Sequence, residues 1–103
     1  MFVKIYEYNI EKDKEVFFLE IQEKAVQIYK EYLRCDVTYL KSINDETKWL
    51  EISRFSSQEE YLIGIQKVNN ESVIKELYEQ FGSCLVHDKQ KIKESNFVMK
   101  LQL

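Results

Sequence analysis

The side chains that could carry chemistry are few. His87 is the only histidine, so a metal site built from several imidazoles is excluded, and any acid–base role would fall on this ring alone. Cys84 lies three residues before it, and a thiol–imidazole pair could form if a helix continued that far. However, Cys84 also continues an apolar helical stripe, and His87 lies in a polar loop. The favoured interpretation is a packed helix residue for Cys84 and a solvated loop residue for His87, and we expect no metal site.

A second group of candidates is aromatic. Trp49 lies in a strand-like run and offers a rigid flat surface for a planar ligand, although aromatic side chains in such positions usually belong to a core or an interface. Tyrosines could line a pocket with hydroxyls at its wall, because ligand sites combine an apolar lining with a few polar groups. The tyrosines considered for this role are Tyr6, Tyr8, Tyr39, Tyr61 and Tyr78.

Glu51 is the carboxylate that we expect to be buried, because it lies between Trp49 and Ser53 on one predicted strand. Buried carboxylates more often pair with a cation than act as a general base, so the favoured partners are Lys4 and Lys100, within the sheet or across a dimer. Phosphate-binding glycine loops are excluded, because no two glycines lie within five residues of each other.

The patterns around these residues predict the elements that position them. Two strand-like runs between Val37 and Phe55 flank a polar turn at Asn44–Thr47 and predict a hairpin. A helical period runs before it from Glu11 to about Arg34, with Asp13 as the predicted N-cap. Met1–Ile10 alternates as a strand with apolar groups on both sides, which predicts a neighbour on each side in the sheet.

The second half of the chain repeats this order of elements. A Ser followed by Glu three residues later, at Ser56 or Ser57, is the capping-box pattern and predicts a helix start. The apolar stripe that follows is interrupted at Asn69–Asn70 and then resumes, which predicts two helical pieces with a joint. The alternation across Ser95–Leu103 predicts the last strand.

The predicted fold class is α+β: a ferredoxin-like βαββαβ sandwich, in which a four-stranded antiparallel sheet carries its helices on one face. The whole chain, 1–103, is predicted to form a single domain. The predicted helix-facing residues are Val3, Ile5, Leu40, Leu50, Ile52, Phe97, Met99 and Leu101. The other face would form a homodimer interface, because a bare apolar sheet exceeds what monomers tolerate. Its principal candidates are Tyr6, Tyr8, Tyr39, Trp49, Glu51 and Phe55.

Charge and hydropathy exclude several classes of partner. The net charge of −3 and the acidic pI near 5.2 argue against nucleic-acid binding, which needs a basic surface. An RNA-recognition domain shares the strand order, but its glycine–aromatic signature is missing. No apolar run is long enough to cross a membrane, and the N-terminus lacks the order of a signal peptide. We therefore expect a cytoplasmic protein with no membrane partner, in which Cys35 and Cys84 are free thiols.

The element order, the long first helix and the passage KWLEISRFSSQEEY resemble the antibiotic biosynthesis monooxygenase (ABM) family. In that passage an aromatic strand runs through Phe55 into a Ser-Glu capped helix with an early Tyr61. The resemblance implies a dimeric α+β barrel. It also implies a cofactor-independent monooxygenase acting on a small planar aromatic or quinol in a pocket between helices and sheet. The alternative is a non-catalytic dimeric module for small-ligand binding or interaction.

The haem-degrading branch of the family can be tested by residue. It uses an Asn on the first strand, which Asn9 matches, together with a Trp and a haem-ligating His in the second helical region. The region from Ser56 to Phe81 contains neither Trp nor His, so haem degradation is not expected and no cofactor is predicted. No catalytic residue can be assigned from the resemblance. The candidate ligand-pocket residues are Asn9, Trp49, Tyr61, Tyr78 and His87.

Overall fold

A computed structural model describes residues 1–103 and contains four strands and three α-helices. The element order of strand, helix, strand, strand, two helical pieces and strand confirms the predicted α+β class. A 3₁₀ turn at Lys12–Lys14 precedes the first helix. The elements are β1 (Phe2–Asn9), α1 (Glu15–Tyr32), β2 (Cys35–Lys41), β3 (Lys48–Phe55), α2 (Gln58–Asn69), α3 (Ser72–Cys84) and β4 (Lys93–Val98).

The four strands form one antiparallel sheet in the order β2-β3-β1-β4. As predicted, β1 lies inside the sheet, where β3 and β4 flank it. Ile5 pairs with Ile52, and Ile52 pairs in turn with Thr38 of β2. This register matters for the site because it places equivalent side chains of neighbouring strands on the same side of the sheet.

All three helices cover one face of the sheet, and aromatic rings fill the space between the two layers. Phe18 of α1 is completely buried, and its ring centre lies 5.1 Å from that of Trp49 and 5.7 Å from that of Tyr8. Phe81 of α3 lies 5.0 Å from Tyr8, and Tyr61 of α2 lies 4.6 Å from Phe55. Edge-to-face and tilted contacts of this kind stabilise a core beyond the area they bury.

The predicted assignment of the two sheet faces is wrong, because the structure has them reversed. Tyr8, Trp49 and Phe55, which were expected to face a second subunit, are 6% exposed or less and lie under the helices. Tyr6, Tyr39 and Glu51 share that side of the sheet. The side chains expected under the helices lie instead on the uncovered side, which we call the open face: Val3, Ile5, Leu40, Leu50, Ile52 and Phe97.

The physical reason is that covering the aromatic side of the sheet buries the larger apolar area. Helix α1 contributes Phe18 and Tyr29 to the same layer, and aromatic groups bury the largest area per residue. The sequence left this choice open, because exchanging the two faces of a strand preserves the alternation completely.

Several predicted boundaries are confirmed and others are corrected. The hydroxyl of Ser57 accepts a hydrogen bond from the backbone N–H of Glu60 at 3.1 Å, which selects the second of the two predicted capping boxes. The break at Asn69–Asn70 also stands where predicted. Asp13 is not a cap, because α1 begins at Glu15 with no side-chain cap bond.

The last strand is shorter than predicted. Its pairing ends at Val98, because Val98 lies opposite Phe2 and β1 begins there. Beyond it, the N–H of Met99 donates to the carbonyl of Met1 at 3.0 Å. Leu101 is 74% exposed, so the predicted position of Met99 and Leu101 under the helices is wrong.

Candidate functional site

A cavity of about 410 Å³ lies between the sheet and the helices. This volume falls at the small end of the range typical of ligand pockets. Its lining is mainly apolar, but six of the seven tyrosines of the chain reach it. Its tyrosines are Tyr6, Tyr8, Tyr29, Tyr39, Tyr61 and Tyr78, and its other polar side chains are Gln22, Glu51 and Ser53.

Glu51 is the only charged side chain of this lining. It lies on β3, and its Oε1 accepts a hydrogen bond of 2.8 Å from the hydroxyl of Tyr8 on β1. Burial raises the pKa of Glu51, while the hydrogen bonds from Tyr8 and Ser53 act in the opposite direction. The cavity therefore contains one carboxyl group that can exchange a proton closer to neutrality than an ordinary glutamate.

Three further hydroxyls form hydrogen bonds that link α1 to the sheet and to α3. Tyr39 of β2 donates to Oε1 of Gln22 on α1 at 2.6 Å, and Gln22 is itself buried. The hydroxyls of Tyr29 on α1 and Tyr78 on α3 lie 2.6 Å apart. Because Tyr78 is 42% exposed and Tyr8 only 1%, the Tyr29–Tyr78 pair marks the mouth of the cavity and Tyr8 its floor.

The phenol groups remain neutral throughout the ordinary pH range. Burial is the main cause that raises the pKa of Tyr8, and the neighbouring Glu51 charge raises it further. Burial likewise raises the pKa of Tyr29 and Tyr39. None of these hydroxyls is therefore a ready nucleophile or base, and the acid–base capacity of the cavity belongs to Glu51.

Lys4 lies on β1 beside the cavity. Although its side chain is buried, its ammonium group donates to Asn96 at 2.8 Å and lies 3.0 Å from a carboxylate oxygen of Glu94. It also lies 5.1 Å from the centre of the Tyr61 ring, within cation–π range. Within the chain, the predicted pairing of Glu51 with Lys4 or Lys100 is wrong, because Lys4 binds Asn96 and Glu94 of β4 and Glu51 accepts a hydrogen bond from Tyr8.

Of the five predicted pocket residues, the structure brings Tyr61 and Tyr78 to the cavity. Trp49 is buried against Phe18 and does not line it. The side chain of Asn9 donates to the hydroxyl of Thr47 at 2.9 Å, beside the central hairpin.

The remaining candidate, His87, is exposed in the loop after α3, so its predicted role in the pocket is wrong. The thiol–imidazole pair is not formed either. Helix α3 ends at Cys84, which is completely buried and directs its thiol to the carbonyl of Gln80 at 3.4 Å. Burial raises the pKa of this thiol, which opposes a nucleophilic role. Cys84 and Cys35 are both free thiols, as predicted. No group of three or more His, Cys, Asp or Glu side chains is arranged to hold a metal ion.

Sequence reasoning missed Tyr29 and Gln22 as parts of the site. Both lie on the buried side of α1, where Phe18, Gln22, Ala25 and Tyr29 follow one another at helical spacing. A glutamine and a tyrosine within an apolar stripe were the available signal, because a buried polar side chain needs a hydrogen-bond partner. The same side of the sheet holds Tyr39, which is that partner for Gln22.

The fold and the cavity define a class of protein: a ferredoxin-like α+β sandwich with a tyrosine-lined chamber under its helices. Solved structures share this fold. An uncharacterised NIPSNAP domain protein from Burkholderia xenovorans superposes with a TM-score of 0.74 at 15% identity, over 97% of this chain and 95% of that chain. A provisional antibiotic biosynthesis monooxygenase from Bordetella bronchiseptica gives a TM-score of 0.73 at 12% identity, over 97% of each chain.

A third structure of the same fold is SnoaB from Streptomyces nogalater, a cofactor-independent oxygenase. It superposes with a TM-score of 0.71 at 6% identity, over 99% of this chain and 95% of that chain. No family profile and no curated protein matches the sequence. The predicted resemblance to ABM proteins is thus confirmed at the level of the fold. No helix of the chain is long and apolar enough to span a membrane.

Proposed function

We propose that the chamber binds a small planar aromatic or quinol and that the protein is a cofactor-independent monooxygenase acting on it. The observation that carries the proposal is the cavity of about 410 Å³, which combines an apolar lining with six tyrosines and one carboxyl group. Flat apolar ligands suit such a lining, because aromatic rings stack on one another and the few polar groups orient what is bound. The shared fold of SnoaB, a cofactor-independent oxygenase, supports the same activity.

Oxygen uptake in the presence of a panel of quinols tests the activity. We expect uptake above buffer for at least one quinol, and its loss in Gly82→Phe. Gly82 lines the cavity, and a side chain there meets no other atom within 4 Å of its Cβ, so a phenyl ring can enter the space without a backbone clash. The matched control is Glu79→Phe, which adds the same ring to an exposed position of α3.

The alternative function is a non-catalytic ligand-binding module. It is supported by the pairing of the tyrosine hydroxyls with protein partners, which leaves Glu51 as the only acid–base group in the lining. Calorimetric binding of a quinol that Gly82→Phe abolishes, without oxygen uptake by the wild type, would favour the module over the enzyme. Absence of both binding and uptake would contradict both functions.

We propose further that the chain forms a homodimer through its open face rather than through the face of the sheet that the helices cover. The support is an uncovered apolar surface at the centre of the sheet, where Ile5 and Ile52 are neighbours and Phe97 at the edge is 52% exposed. Uncovered apolar patches on soluble proteins commonly mark interfaces. Sedimentation at micromolar concentration should give about 25 kDa, twice the chain mass of 12.5 kDa. A clean monomer would overturn this proposal.

A cytoplasmic location is also proposed. Its support is the pair of free thiols, Cys35 and Cys84, since exported proteins more often oxidise their cysteines. Fractionation of the producing cells should recover the protein with cytosolic markers, and recovery outside the cytosol would refute the proposal.

A further inference from the structure

The floor of the cavity has spare capacity to accept hydrogen bonds. Tyr8 donates to one oxygen of Glu51 at 2.8 Å and Ser53 also hydrogen-bonds to this carboxyl group, whereas a carboxylate offers about four lone-pair sites. Lys4 is close in the sheet but is bonded to Asn96 and Glu94, so no cation occupies the remaining sites. A ligand that reaches the floor therefore meets an acceptor.

The mouth of the cavity has the opposite character. In the pair formed by Tyr29 and Tyr78, one hydroxyl donates to the other, and the second hydroxyl hydrogen has no acceptor within the protein. It is left for solvent or for an acceptor atom on a ligand. The two ends of the cavity therefore suit different ligand atoms. A hydrogen-bond donor on the ligand fits the floor on β3, and an acceptor on the ligand fits the mouth between α1 and α3.

We propose that Glu51 is the proton acceptor of the chamber, that Tyr8 positions it, and that the ligand is a planar aromatic that presents a phenolic hydroxyl to Glu51. An oxygen elsewhere on the same ring system would accept from the Tyr29–Tyr78 pair. This inference rests on the proposed function and deepens it by assigning a proton-transfer role to a named residue.

A neutral hydroxyl fits this floor better than a permanent cation does. The lining holds no second charged group, and because burial raises the pKa of Glu51, its carboxylate is a stronger proton acceptor than an ordinary glutamate. A phenol enters without charge, and the complex has the same net charge whichever oxygen holds the proton. The polar groups that line the cavity around Glu51 are all uncharged. They come from β1, β2, β3 and the three helices and are Tyr6, Tyr8, Tyr39, Ser53, Gln22, Tyr29, Tyr61 and Tyr78.

The step itself is a proton transfer without oxidation. The ligand O–H bond breaks, a new O–H bond forms on the Glu51 carboxylate, and the electron pair of the broken bond stays on the ligand oxygen as phenolate. Return of the proton on release restores both partners. Electron-rich phenolates react with oxidants more readily than phenols do, so this step would precede the proposed reaction with dioxygen.

Binding of two matched probes tests the proposal. 1-Naphthol carries the hydroxyl, and 1-methoxynaphthalene has similar shape without the donor. Calorimetry with the wild type at pH 8 should show a preference for naphthol of roughly tenfold or more, typical of a hydrogen bond to a charged group. Glu51→Gln should reduce that preference to within about threefold. The control Glu7→Gln, on the opposite face of β1 in an ion pair with Lys48, should retain it.

The position of the proton is tested with 4-nitrophenol, whose phenol and phenolate absorb at different wavelengths. At one pH, the bound probe should show more phenolate absorption in the wild type than in Glu51→Gln. On acidification Glu51 becomes protonated, and the preference for naphthol should then be lost. Tyr8→Phe removes a hydrogen bond that favours the charged carboxylate, so in this variant the preference should be lost at a higher pH than in the wild type. A merely structural role of Tyr8 would leave this midpoint unchanged.

The outcomes separate this inference from the proposed function. If Glu51→Gln retains both the naphthol preference and the nitrophenol spectrum, Glu51 is not the acceptor, while the cavity proposal survives on the binding of either naphthyl probe. If neither probe binds the wild type, the cavity proposal fails and this inference with it. Tighter binding of trimethylphenylammonium than of naphthol, abolished in Glu51→Gln, would replace the phenol with a cation and overturn the ligand class.

Discussion

Replacement of Trp49 by alanine tests which face of the sheet the helices cover. Trp49 is 6% exposed, and its ring lies 5.1 Å from that of Phe18. Large-to-small changes of a buried Trp cost roughly 3–5 kcal/mol, because lost transfer energy adds to the cavity left behind. For a urea m-value of about 1.5 kcal/mol/M, the unfolding midpoint should fall by about 2–3 M.

The matched change is Ile52→Glu, three residues along the same strand but on the open face. It places a charge on an uncovered surface, so the helix-covered core keeps its packing. We expect Ile52→Glu to weaken self-association in sedimentation while its far-UV spectrum remains that of the wild type, and Trp49→Ala to lose stability chiefly through the monomer. A loss below about 1 kcal/mol for Trp49→Ala in urea titration would refute the face assignment.

Four further substitutions give results of different sign. Gly64→Ala should cost roughly 1–2 kcal/mol of stability, because the new Cβ would lie 2.7 Å from Cγ of Leu33. Gly82→Ala places its Cβ where no atom lies within 4 Å, so it should gain up to about 1 kcal/mol from helix propensity. Thermal unfolding measures both changes, and equal shifts would contradict the close packing of Gly64 against Leu33. Ser57→Ala should cost about 0.5–2 kcal/mol of stability in the same assay, since it removes the N-cap hydrogen bond of α2. An unchanged stability would show that this hydrogen bond does not stabilise the fold. Burial raises the pKa of Glu51, so above pH 4.5 the folded protein retains a proton that the unfolded chain releases. The contribution of Glu51 to the free energy of unfolding therefore falls as the pH rises from 4.5 towards the raised pKa. Glu51→Gln should therefore gain stability relative to the wild type over that range in urea titrations, and a constant difference would exclude the shift.

The element order was predictable because periodicity records which side of each segment is apolar. The capping box at Ser57, the break at Asn69–Asn70 and the central position of β1 all followed from local patterns. The end of β4 could not be predicted from local patterns. Alternation continues to Leu103, but a strand needs a partner backbone, and β1 supplies none beyond Phe2.

The candidate site was predictable in composition and not in arrangement. Five of the six tyrosines that line the cavity were considered from the sequence as pocket residues, Glu51 was expected to be buried, and Tyr29 was missed. Their arrangement depends on which sheet face the helices cover, and both faces carry large apolar groups. The face that carries Tyr8 and Trp49 was predicted to be a dimer interface because it mixes aromatic with polar side chains, Lys4 and Glu51 among them. The structure instead satisfies both polar groups under the helices, with Asn96 and Tyr8.

Cross-strand ion pairs occur on both faces of the sheet, so they do not distinguish the covered face from the open one. On the open side, Glu7 pairs with Lys48 at 3.0 Å and Arg54 with Asp36 at 2.9 Å. Both are cross-strand ion pairs between groups that remain partly in water, where such pairs carry little desolvation cost. On the covered side, Glu51 has no cation and bonds only to neutral groups. The covered face also carries a cross-strand ion pair, Lys4 with Glu94 at 3.0 Å. What distinguishes this face as a candidate site is Glu51, a carboxyl group held in an aromatic layer by the hydroxyl of a tyrosine rather than by a cation.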